Sequence, residues 1–292
     1  MASKVNVFVR EYATLEYDTA EVIYSEKTFY FAEKGEGWKK KQQSEEDQKE
    51  IVELTEQEKA EKQAENLACS IRRAKKELKA LVLNNVTSNW RFLTLTYEGK
   101  GQTDRKQLSR DIEEMIRRME EHTKKDIEYI CSFEFHPGGH GYHAHLLLNY
   151  NFYKNEVFQR LFWQKGFVRM RKLLHRKSPR CILREAKYMM KYVSKDAEKT
   201  EKGCKRYSAS RNLIREAYIV AYNAKCVDDV KKIAKRLIER GYNYVENYSM
   251  VLDGELVRVA FYQKALPIDS SIPEFERTCN EITNLFNGTL VA

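Results

Sequence analysis

His143, Ala144 and His145 form an HxH triplet inside the apolar run GYHAHLLLN. Side chains two apart on a β-strand leave the same face, so two imidazoles at this spacing can share one metal ion. The stretch before it, IEYICSFEF, is joined to it through Pro137-Gly138-Gly139, which reads as a hairpin turn. Folding that hairpin symmetrically about Gly138 and Gly139 sets Glu134 opposite His143 and Ser132 opposite His145, with Glu134 about 5 Å from His143 between Cβ atoms. Two imidazoles and a carboxylate on one face make a mixed nitrogen and oxygen site suited to Mg²⁺ or Mn²⁺, with open positions for phosphate oxygens; the ligand types also admit zinc. His136 falls on the same face and is the alternative third ligand, whereas His140 belongs to the turn. The competing reading makes the two histidines ordinary hydrogen-bonded side chains. Glu134 weighs against it, since a carboxylate facing an apolar strand needs a partner.

A second constellation lies in YMMKYVSKD, Tyr188 to Asp196. On a helix Tyr188 and Tyr192 share a face, and Lys195 lies one turn beyond Tyr192. A phenol with a pKa near 10 is a weak nucleophile at neutral pH unless nearby positive charge stabilises the phenolate, and Lys191 and Lys195 are placed to supply it. The competing reading is a tyrosine stripe that packs a helix. These residues sit in an unusual block: from Lys165 to Arg206 there are fifteen Lys or Arg against four Asp or Glu, which exceeds the whole chain's net charge of +9. Charge concentrated in this way marks a face for a polyanion, or else a solvated surface. Arg169, Arg171, Lys172, Arg176, Arg180 and Lys191 are the candidates for contacting nucleic-acid phosphates. Phe162, Trp163 and Phe167 are candidates for stacking on bases or for core packing.

The elements that must position these residues follow from periodicity. Residues 1 to about 33 read as short strands, 34–49 as a polar linker, and Thr55 with Glu58 as a capping box opening a long helix to about Leu83. RFLTLTY (Arg91 to Tyr97) alternates as a strand, and Leu108, Ile112, Met115, Ile116 and Met119 repeat as an amphipathic helix. The hairpin follows, then a short helix over 153–164, the strand GFVRMRKL, and a helix from Cys181 to about Lys195. Beyond Arg211 come a strand, a helix from Val227 to Arg240 and a hairpin turned by Asp253-Gly254. This order predicts an α+β fold, an antiparallel sheet with helices packed on one face. The expected organisation is 1–50 as N-terminal strands and linker, 51–210 as the domain carrying the chemistry, and 211–292 as an accessory unit.

Bulk properties narrow the class. Six scattered cysteines without a CxxC pair argue against a zinc ligand set or a disulfide framework. There is no GxxxxGK[ST] loop for an ATP-driven motor, no apolar run long enough for a membrane span, and acidic and aromatic residues stand where a secretory leader would be apolar. A cytoplasmic protein without a membrane partner is expected.

Taken in order, RFLTLTY, HAH within an apolar strand and YMMKYVSKD resemble the three motifs of the HUH endonucleases that initiate rolling-circle replication. The resemblance spans Arg91 to Asp196, and the flanking SIRRAKKELKALVLNN and RYSASRNL are similar to the phage and plasmid branch. It implies an RRM-like palm whose first motif is a structural strand, with His143, His145 and Glu134 holding the metal. Tyr192 would be the nucleophile, Lys195 its paired lysine, and Tyr188 would stand where some phage members carry a second tyrosine. The implied partners are single-stranded origin DNA and a helicase of the bacterial host. The implied product is a nick rejoined through a 5′-phosphotyrosine link. Two alternatives remain at this point: a relaxase or transposase with the same chemistry, and a non-catalytic nucleic-acid-binding module.

Overall fold

The computed structural model describes residues 3–14, 18–31, 55–87, 89–136, 141–150, 154–173, 180–195, 205–252 and 255–264. The expected linker at 34–49, the turns at Pro137-Gly138-Gly139 and Asp253-Gly254, and the candidates His140 and Arg176 lie outside them. The fold is α+β, with two antiparallel five-stranded sheets and helices packed on them. The chain divides into two compact units, Met1–Glu11 with Tyr17–Asn66 and Tyr218–Ala292, and Tyr12–Glu16 with Leu67–Ala217.

In the first unit β1 (Ser3–Ala13), β2 (Asp18–Phe31), β8 (Tyr218–Tyr222), β9 (Asn243–Leu252) and β10 (Glu255–Lys264) form a sheet of order β8-β1-β2-β10-β9. Helix α5 (Val227–Glu239) buries Val230, Ile233, Ala234 and Leu237 against Val7, Val9, Ala20, Val22 and Ala260. That spacing, one apolar stripe every three or four residues, is what seats a helix on a sheet. The strands that open and close the chain therefore share one sheet.

The second unit carries the candidate chemistry. Its sheet has the order β6-β3-β5-β4-β7, built from β3 (Arg91–Tyr97), β4 (Tyr129–His136), β5 (Gly141–Leu148), β6 (Gly166–Lys172) and β7 (Tyr207–Ala209). Helix α1 (Glu56–Asn85) opens with the expected capping box: Thr55 N–H donates to Glu58 Oε2 at 2.8 Å and Glu58 N–H donates to Thr55 Oγ1 at 3.2 Å. Helix α2 (Arg105–Thr123) opens on Asp104, whose carboxylate accepts from the backbone of Lys106 and Gln107.

Strand alternation then assigns the two faces of this sheet. Leu93, Leu95, Cys131, Phe133, Ala144, Leu146 and Val168 point one way and form a core with Leu108, Ile112, Met115 and Met119 of α2. The segment made of α3 (Asn155–Phe158) and a π-helical turn (Gln159–Trp163) closes this core with Phe158, Phe162 and Trp163, all buried. The opposite face carries Phe92, Thr94, Ser132, Glu134, His143 and His145, and α4 (Arg180–Lys195) lies over it. One face is thus hydrophobic throughout, while the other holds polar and ionisable groups beneath a basic helix.

Candidate active site

The β4–β5 register is the one the symmetric hairpin requires: Ser132 pairs with His145 and Glu134 with His143. Gly141 opens β5 with φ of 65°, and a Cβ there would stand 2.3 Å from the backbone oxygen of Gln102, so only glycine fits this entry. His145 is the hub. Its Nε2 lies 2.9 Å from Glu134 Oε2, its Nδ1 lies 3.2 Å from Thr94 Oγ1 on β3, and the Tyr192 ring stacks on it with centroids 4.0 Å apart. Glu134 Oε1 accepts a hydrogen bond from Lys195 Nζ, so the carboxylate joins the strand histidine to the end of α4. His136 stacks on His143 at 4.9 Å, on the same face as expected.

Helix α4 reaches the site because Glu185, Tyr188, Tyr192 and Lys195 recur at helical spacing along one stripe, while Leu183, Ala186, Met189 and Val193 are buried. Tyr188 is 38% exposed and Tyr192 6%; their rings meet edge to face at 5.1 Å. Tyr188 also packs on Phe92 at 5.2 Å and lies 6.2 Å from the His145 ring. The structure therefore brings together Glu134, His143, His145, Tyr188, Tyr192 and Lys195.

The electrostatics differ from the simple expectation that Lys191 and Lys195 ready a phenolate. Lys195 is engaged by Glu134, and Lys191 Nζ is 5.9 Å from the Tyr192 ring centre. Burial, the hydrogen bond with Tyr188 and the nearby negative charge of Glu134 push the Tyr192 hydroxyl well above the ordinary phenol range. The cation that opposes this is Arg171. Its guanidinium sits 4.3 Å from the centre of the Phe92 ring and 6.0 Å from that of Tyr188. It is held there by two bonds to the buried carboxylate of Glu185, at 3.0 and 2.6 Å. Burial would raise the Glu134 carboxyl, but the hydrogen bonds from Lys195 and His145 outweigh it and leave the group below its usual range. Burial lowers His145 despite its bond to Glu134, which favours the neutral imidazole.

Of the other expected nucleic-acid contacts, Arg169 is exposed on β6 and shares with Arg171 and Phe167 the face that carries His145, whereas Lys172 falls on the opposite face. Arg180 opens α4, and Lys191 is exposed on it. Of the three aromatic candidates, Phe162 and Trp163 are core, while Phe167 is 58% exposed beside Arg169. Two contributors were absent from the sequence reading. Thr94 was hidden because its partner depends on which strand β3 joins. Glu185 did leave a signal, as it is the sole acidic residue between Lys165 and Lys195.

Among the described residues no group of three or more His, Cys, Asp or Glu side chains is arranged around a common point as metal ligands. The donor chemistry nonetheless fits a divalent cation: two imidazoles and a carboxylate on one sheet face, with Thr94 steadying the far nitrogen of His145. A hydroxyl can donate to or accept from Nδ1, so it supports either tautomer.

The comparisons with known proteins bear on the same segment. Residues 90–197 match the family model of the replication-associated proteins of the ORF2 type. The match supports a role as a replication initiator, and such a protein is expected to bind DNA. It spans β3 to the end of α4 and so contains Glu134, both histidines, both tyrosines and Lys195. No curated protein and no solved structure matches the chain. Among the described residues no helix is long and apolar enough to cross a membrane.

Proposed function

We propose that this chain starts rolling-circle replication by nicking one DNA strand with a tyrosine and later rejoining it. The observation that carries this reading is the stack of Tyr192 on His145, with Glu134 bound to both His145 and Lys195, inside the segment similar to replication-associated proteins. His143, His145 and Glu134 would hold Mg²⁺ or Mn²⁺, which when bound offers positive charge to the non-bridging oxygens of a scissile phosphate.

The chain's own residues account for the rest. The Tyr192 hydroxyl oxygen forms a bond to phosphorus as the bond from phosphorus to the 3′-oxygen breaks; the phenol gives up its proton and the departing strand end gains one. The product is a 5′-phosphotyrosine and a free 3′-hydroxyl, and attack by a 3′-hydroxyl reverses the step without ATP. Tyr188 shares a hydrogen bond with Tyr192 and is the second candidate nucleophile. Arg171, fixed by Glu185, supplies the charge that favours the phenolate. Lys195 holds Glu134 in place and neutralises it.

The test is a covalent adduct. With Mn²⁺ and a labelled pool of mixed-sequence single strands, label should stay with the protein through denaturing electrophoresis, and chelation should abolish it. Retention of the adduct by the Tyr188→Phe, Tyr192→Phe double variant would refute the reading.

A further inference from the structure

A second cationic feature lies at the other edge of the same sheet, away from the histidines and tyrosines. Around β7 the structure opens a cavity of about 550 Å³, walled by Arg73 of α1 and by Lys205, Arg206, Arg211 and Arg215 around the strand. Glu77 and Glu113 also border it, and Glu77 is engaged as acceptor for the Tyr207 hydroxyl at 2.8 Å. Arg73, Arg211 and Arg215 are exposed. No exposed large apolar side chain among the described residues lines the cleft, whereas a protein partner would dock on an apolar centre. Five cations against two acids instead fit a polyanion.

Its position narrows the polyanion. Lys205 and Arg206 also border a narrow crevice whose opposite wall includes Arg105 and Tyr192, so the cleft leads to the tyrosine. Strand order places β6, with Arg169 and Arg171, at one edge of the sheet and β7 at the other. Four strand spacings of about 4.8 Å separate the edges, roughly 19 Å, with His145 and Glu134 on the two strands between β3 and β7.

We propose that the β7 cleft binds the sugar–phosphate backbone of single-stranded DNA on the side of the scissile phosphate remote from β6, so that the strand is held at both edges of the sheet. This rests on the nicking reading above, but it is tested by binding alone. A strand crossing the sheet in this way would occupy on the order of 4 to 16 nucleotides, the usual range for a single-strand platform.

The experiment uses the full chain, EDTA to suppress cleavage, and a labelled 30-nucleotide single strand of mixed sequence, with affinity measured across a salt series. Each lost phosphate contact should reduce the slope of log affinity against log salt by about 0.7, so Arg73→Gln with Arg211→Gln and Arg215→Gln should reduce it by about 2. The matching Arg→Lys triple variant keeps the charge and should keep the slope. A control variant, Lys231→Gln with Lys232→Gln and Lys235→Gln on α5, removes equal charge elsewhere and should leave it unchanged. An unaltered slope in the arginine-to-glutamine variant, an equal loss in the lysine variant, or an equal loss in the α5 control would each overturn the proposal. Because no adduct is scored, failure here and failure of the nicking chemistry are read separately.

Discussion

The pair Arg171–Glu185 gives the sharpest energetic prediction, because its two members differ in exposure. The Glu185 side chain is 2% exposed and that of Arg171 39%. Arg171→Met would strand a buried carboxylate, for which the cost of breaking a buried pair, about 3–5 kcal/mol, applies. Glu185→Gln would leave a cation that solvent already reaches, so the loss is nearer that of one charge-assisted hydrogen bond discounted for screening, about 1.5 kcal/mol. The difference, about 2 kcal/mol or more, corresponds to roughly 4–8 °C in Tm at about 2–4 °C per kcal/mol. The double variant Arg171→Met, Glu185→Leu should regain most of the loss, since it leaves no buried charge behind. Differential scanning calorimetry in metal-free buffer measures all three. Equal Tm losses for the two single variants, a larger loss for Glu185→Gln, or a double variant no better than Arg171→Met would refute the reasoning. The same proteins report on function: both single variants detach the guanidinium from Phe92 and Tyr188, so adduct formation should fall about tenfold or more, the rate equivalent of about 1.4 kcal/mol.

Three further outcomes are expected. Thr94→Val removes the hydroxyl at His145 Nδ1 and should weaken Mn²⁺ affinity about 10- to 100-fold while costing only about 1 kcal/mol of stability, measured by isothermal titration and urea unfolding. The Glu134 carboxyl is held below its ordinary value of 4.5, so its contribution to stability is full above that pH and is lost as pH falls through the lowered value. In EDTA, the Tm advantage of the wild type over Glu134→Gln should therefore shrink from pH 6 towards pH 3, and a constant difference would count against the Lys195 and His145 bonds. Gly141→Ala should cost about 2 kcal/mol or more, because its positive φ and the Gln102 backbone leave no room for a Cβ; unchanged thermal unfolding would contradict this.

Much of the site could be read in one dimension because its parts are local. Glu134, His143 and His145 belong to a single hairpin, and a turn of known centre fixes which residues face each other when side chains alternate with a period of two. Tyr188, Tyr192 and Lys195 lie within one helix, where spacing alone sets the common face. What the tertiary structure decided is how such local pieces meet. Packing α4 over the polar face put Tyr192 on His145 and diverted Lys195 from the phenol to Glu134. The pairing of β3 with both β5 and β6 brought Thr94 to His145 and carried Arg171 to Phe92, within reach of Glu185. The joining of β1 and β2 to β8, β9 and β10, some two hundred residues later, leaves no trace in any short window, because an antiparallel ladder is written in backbone hydrogen bonds that every sequence can make.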